Sequence, residues 1–264
     1  MTLRDMFVHV DTSSSCEARL EVAVSLARRH GARLTGLAVL THGYYEPRSS
    51  VADQWMADAT GLFGRVTVGA EIETRWRSID WSVVGTGVPE ILIRQGYCTD
   101  LVVVGQAGEG NRVPADLPQR LVLAAGRPIL VVPYAGAFPT VGERVLVAWR
   151  AGRESARAVG DALPILRAAR EVTLLMIASP ETPDDGGGAD IREYLARHGV
   201  NIEVEQASAT GIPVGDMLLN RVSEGGHDLL VMGAYTRLTR GVSVLGPVAV
   251  QILREMTVPV LMAH

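Results

Sequence analysis

Short apolar runs rich in β-branched residues alternate along the chain with amphipathic stretches of roughly ten to twenty residues, the pattern of βα units laid on a parallel sheet. In the first half these runs are residues 6–10, 33–40, 71–77, 100–105 and 128–133; in the second they are 144–149, 171–178, 201–207, 228–233 and 259–262. The same five strands are therefore expected twice, in one order. Periodicity predicts a helix capped by Ser14 or Ser15 and running to His30, with Leu20, Val24 and Ala27 on one face and Gly31 as its stop. Its counterpart begins near Gly152 and carries Val159, Leu163 and Leu166, with Pro164 expected to kink or end it, because proline removes an internal hydrogen bond. Residues 51–68 read as a helix interrupted by Gly61 and Gly64, and 248–256 as an apolar helix.

Residue matches strengthen the repeat. Gly87-Val88-Pro89 answers Gly211-Ile212-Pro213, and the segment from Asp100 to Gly105 (DLVVVG) answers that from Asp228 to Gly233 (DLLVMG). A duplicated domain of roughly 130 residues accounts for both matches. The boundary is expected within 134–142, where Gly and Pro cluster, near Thr140, giving domains 1–140 and 141–264.

Composition narrows the chemistry. Of 264 residues, 47% are hydrophobic and 20% charged, enough apolar material for packed cores. All 25 basic residues are Arg, and against 29 acidic residues they leave a net charge of -4, which argues against a nucleic-acid partner. The absence of Lys removes a Walker-type phosphate lysine, a Schiff-base lysine and a lysine general base. Asp5 and His9 interrupt the apolar stretch at the N-terminus and no long apolar window occurs downstream, so a cytoplasmic protein with no membrane partner is expected. Cys16 and Cys98 could form at most one bridge and read as two small packed thiols.

In doubly wound sheets ligands bind at the carboxyl ends of the strands, where strand order reverses. Asp11 ends the first strand, where a carboxylate either accepts from a nucleotide base or ribose or caps the next helix; the second half has Arg150 at the matching place. After the fourth strand of the second half, residues 233–247 read as a glycine-punctuated loop feeding a helix N-terminus, a candidate phosphate cradle. Arg237 and Arg240 either add charge to it or are ordinary surface arginines. In the first half Glu109, Asp116, Pro114 and Pro118 put negative charge and missing donors where phosphate would need the opposite. No paired-histidine metal motif and no G-x-S-x-G elbow occurs, so no catalytic site is expected. His9 reads as packed within its strand, and the acidic stretch 181–190 as a solvated loop.

The doubled order of these pieces resembles the universal stress protein family in its tandem form. Val8-His9-Val10-Asp11 is similar to the family's first strand with its terminal Asp. The segments 100–105 and 228–233 resemble its fourth strand, and 127–132 and 258–262 its fifth. The resemblance implies an α/β fold of two tandem, doubly wound, five-stranded parallel-sheet domains, strand order 3-2-1-4-5. It also implies a pseudo-twofold pairing of the domains through their fifth strands within one chain, a homodimer as a further option, and ATP binding in many members. The family's nucleotide motif is G, two residues, G, nine residues, G, then small hydroxyl or glycine residues. Gly233 and Gly246 match it, while Thr236 stands in place of the middle glycine and Pro247 and Ala249 in place of phosphate donors. The expectation is a non-catalytic stress-response module with an unidentified protein partner, with an adenine nucleotide held weakly if at all at Asp11, Arg150, Gly233, Thr236, Arg237, Arg240 and Gly246.

Overall fold

Each half opens on a strand whose start is fixed by a carboxylate from the fourth strand's N-terminal end. In the first half, Asp100 Oδ2 accepts from the amides of Arg4 (2.7 Å) and Asp5 (3.0 Å). In the second, Asp228 Oδ1 accepts from those of Gly142, Glu143 and Arg144, each at 3.0 Å. The repeated Asp of the two DLVVVG-like segments thus ties strand starts together. The computed structural model describes residues 2–41, 49–81, 87–108, 114–178, 188–239 and 242–264. The chain divides into two units, Thr2–Pro139 and Thr140–His264.

The first unit runs β1 (Asp5–His9), α1 (Cys16–His30), β2 (Arg33–Thr41), α2 (Ser50–Thr67), β3 (Thr74–Trp81), α3 (Val88–Gly96), β4 (Leu101–Gly105), α4 (Leu117–Ala124) and β5 (Ile129–Val132). Its strands pair in parallel in the order β3-β2-β1-β4-β5. Every residue of β4 and β5 is buried, which is why these strands read as unbroken apolar runs. Gly31 closes α1 in the left-handed conformation, φ 61°, where it meets the carbonyls of the last turn.

The second unit runs β6 (Arg144–Trp149), α5 (Arg153–Ala168), β7 (Glu171–Ala178), α6 (Gly188–Arg197), β8 (Glu203–Ser208), α7 (Val214–Glu224), β9 (Leu229–Gly233), β10 (Thr236–Thr239), β11 (Val242–Leu245), α8 (Pro247–Glu255) and β12 (Val260–Ala263). Its parallel strands take the order β8-β7-β6-β9-β12, so both units have the order 3-2-1-4-5.

Four features depart from the sequence reading. Helix α5 does not end at Pro164 but continues through it; Pro164 and its neighbours Leu163, Ile165 and Leu166 are all buried, and that packing outweighs one lost hydrogen bond. Helix α2 is likewise unbroken at Gly61 and Gly64. Ser49 caps it, its side chain accepting from the Ala52 amide, and Phe63 anchors it over Gly36, where a Cβ would come within 2.5 Å of the Phe63 ring. The stretch between Gly233 and Pro247 is no loop: β10 and β11 pair antiparallel, Thr236 with Leu245 through Thr239 with Val242. Of the acidic stretch 181–190, Gly188, Ala189 and Asp190 open α6, and the rest lies outside the described residues.

Candidate functional site

With strand order 3-2-1-4-5, the reversal falls between the first and fourth strands, and the second unit has a cavity of about 290 Å³ at that point. The ends of β6 and β9, residues of α7 and the first turn of α8 line it. Trp149 and Arg150 come from the end of β6; Leu175, Leu218 and Met232 supply apolar walls.

Tyr235, which the sequence reading missed, organises the rim. Its ring lies 3.7 Å beneath the Arg150 guanidinium, a cation–π contact. Its hydroxyl donates to the Arg150 carbonyl (2.7 Å), which leaves Ser155 Oγ, 2.8 Å away, to donate to it. Ser155 is buried at the start of α5. These contacts join residues distant in sequence, so no local spacing announces them.

The expected glycines are present for different reasons. A Cβ on Gly233 would lie 2.5 Å from Ser155 N and 2.6 Å from Glu154 C, so this glycine lets β9 meet the start of α5. Gly246 caps α8 with extended backbone and donates its N–H to the Tyr235 carbonyl at 2.8 Å. Pro247 is the first residue of α8, where its missing N–H would be unpaired in any case. Thr236 opens β10 opposite Leu245. The backbone of Arg237 pairs with Val244; its side chain and the whole of Arg240 lie outside the described residues. The Trp149 indole Nε1 is buried and has no hydrogen-bond partner among the described residues.

At the matching place in the first unit the polar groups are turned inward and paired with one another. Asp11 is 2% exposed; Ser13 donates its amide (2.8 Å) and its hydroxyl to Oδ1, and Arg19 Nη2 lies 3.0 Å from Oδ2. Arg19, fully buried on α1, also donates from Nε to the His9 carbonyl at 2.9 Å. Burial pushes the Asp11 carboxyl up, but the Arg19 charge, His9 and the Ser13 bonds outweigh it and hold the group down to about 2. Burial lowers His9 to about 4, and raises the Cys16 thiol, whose sulfur is 3.5 Å from the Asp11 amide. The sequence signal for Arg19 was legible in principle: with Cys16, Leu20 and Ala23 it lies on one buried helical stripe, and a cation there requires a buried partner.

On the other side of the first-unit sheet end, Gln106 Oε1 accepts from the Tyr134 amide (3.1 Å), and Gly108 gives room to the Tyr134 ring. Glu109 lies outside the described residues. Asp116 caps α4 and lies 3.5 Å from Arg120, which also pairs with Glu90. Among the described residues, no group of three or more His, Cys, Asp or Glu converges as a metal site, and no helix is long and apolar enough to cross a membrane.

Neither a protein-family model nor a curated protein matches the sequence. Solved structures do match. A universal stress protein from Archaeoglobus fulgidus superposes with a TM-score of 0.76 at 14% identity, over 99% of this chain and 96% of its own. A functionally unknown protein from Pseudomonas aeruginosa does so with a TM-score of 0.62 at 15% identity, over 99% and 92%. The first of these likenesses spans both units, and the strand order in each unit agrees with it: the fold of this chain is the universal stress protein fold, present in tandem.

Proposed function

We propose that this chain is a non-catalytic regulatory or protective module of the stress response, acting in the cytoplasm through a protein partner, with one small-molecule site in its second unit. The observation that carries the reading is the asymmetry of the two strand-reversal points. In the second unit that place is a cavity of about 290 Å³ with an exposed Arg150; in the first, Asp11 at the matching position is buried and paired with Arg19. Concave, mostly apolar cavities with a few convergent polar groups are the usual form of a ligand site.

A second reading, an adenine-nucleotide switch, draws on Gly246 and the α8 N-terminus, which line the same cavity. Slow ATP hydrolysis is the third. Native mass spectrometry of the purified full chain, with phosphate release from ATP measured in parallel, separates them. A bound small molecule without phosphate release is the expected result. Steady phosphate release that disappears when the cavity is filled by Leu218→Trp would replace the module with an enzyme.

A further inference from the structure

The polar groups at the cavity rim largely satisfy one another: Tyr235 Oη, Ser155 Oγ and the Arg150 carbonyl form a closed set. At the start of α8, Pro247 has no N–H, and the Val250 amide already bonds the Gly246 carbonyl at 3.1 Å. That first turn therefore offers a polyphosphate little beyond two amides. Two donors remain. The Trp149 indole N–H is buried without an acceptor among the described residues, a condition that is unfavourable until an acceptor arrives. Arg150 is exposed, its guanidinium lies over the Tyr235 ring, and among the described residues it has no carboxylate partner. Behind these donors the walls are aliphatic, from Leu175, Leu218 and Met232. The volume of about 290 Å³ sits at the lower end of ligand cavities, which run from roughly 300 to 1,000 Å³.

We propose that the cavity takes a flat, apolar monoanion, an aromatic carboxylate in class, with its ring between the aliphatic walls and its carboxylate received by Arg150 and Trp149. This rests on the reading of the second-unit cavity as the ligand site. One guanidinium and one indole N–H match one carboxylate. The several charges of a nucleoside triphosphate exceed what these two described donors can match. Arg150 is already held over the Tyr235 ring, so less side-chain freedom is lost when it binds.

The test is calorimetric titration of the full chain with naphthoate, with naphthylmethylammonium as the charge-reversed probe, and with ATP. Naphthoate is expected to bind, the cation not to bind, and ATP to bind at least about tenfold more weakly than naphthoate. Arg150→Ala, an exposed position, should weaken naphthoate about ten- to hundredfold, the loss of one charge-assisted contact. Leu218→Trp should abolish binding by filling the cavity; should that variant fail to melt cooperatively, Arg150→Ala decides. Naphthoate binding that ignores Arg150→Ala overturns the proposal. ATP binding tighter than naphthoate overturns the ligand class and leaves the second-unit ligand site standing. Absence of binding by all three probes overturns both.

Discussion

A buried charge is stable only beside its partner, and in the first unit Arg19 and Asp11 are each other's partners. Arg19 is fully buried and 3.0 Å from Asp11 Oδ2, so removing one member strands the other in a low-dielectric core. Arg19→Met should therefore cost about 3–5 kcal/mol, while Arg19→Met with Asp11→Ala should recover a good part of that loss. Urea denaturation of both variants checks this; a double variant no more stable than the single one would mean the pair is not what holds α1 to the end of β1. Gly233 is the second sensitive residue. A methyl group there meets the backbone of Glu154 and Ser155, which cannot rotate away as a side chain could. Gly233→Ala should destabilise the second unit by about 1–3 kcal/mol in the same assay, and an unchanged midpoint would show that the α5 start yields instead.

At the scale of elements, each sheet depends on a carboxylate that the repeat pattern displays without explaining. Asp228 holds three consecutive amides at the start of β6, and Asp100 holds two at β1. Asp228→Ala leaves those donors without their acceptor and should cost roughly 2 kcal/mol, with Asp228→Asn costing less because one oxygen remains. Chemical denaturation reads the difference; equal losses for both substitutions would assign the effect to charge rather than to acceptance. Burial also decided which elements were legible in the sequence. Buried parallel strands such as Leu101–Gly105 are apolar without interruption, so composition alone marks them. The hairpin β10–β11 was not legible, because each strand has only four residues and the flanking glycines suggest a loop. Of the candidate site, the glycines and Arg150 were readable, whereas Tyr235, Ser155 and Trp149 acquire their roles only when the ends of β6, β9 and α5 converge.

At the scale of the whole molecule, duplication has left two units with one fold and unlike electrostatics. Val8 pairs with Val103 as Val147 pairs with Val231, so His9 and Asp11 of the first unit correspond to Ala148 and Arg150 of the second. The histidine that is buried and held neutral therefore exists in the first unit alone at this place. Burial lowers His9 from 6.5 to about 4, so the unfolded chain takes up the proton first as pH falls. Its contribution is fully present above about pH 6.5 and is lost as pH approaches about 4, an effect of roughly 3 kcal/mol at 1.36 kcal/mol per unit. Asp11, lowered from 3.8 to about 2, adds its own loss only below that window. His9 is faced there by Asp11 and Arg19, with Cys16 beside them, and of these only His9 titrates between pH 4 and 6.5. The expected result is that, from about pH 7 to about pH 5, β1 and β4 lose hydrogen-exchange protection, corrected for intrinsic rates, while β6 and β9 keep theirs. His9→Gln should remove the difference between the units. Equal loss in both units of the parent chain, or an undiminished difference in the variant, would show that acid sensitivity resides elsewhere.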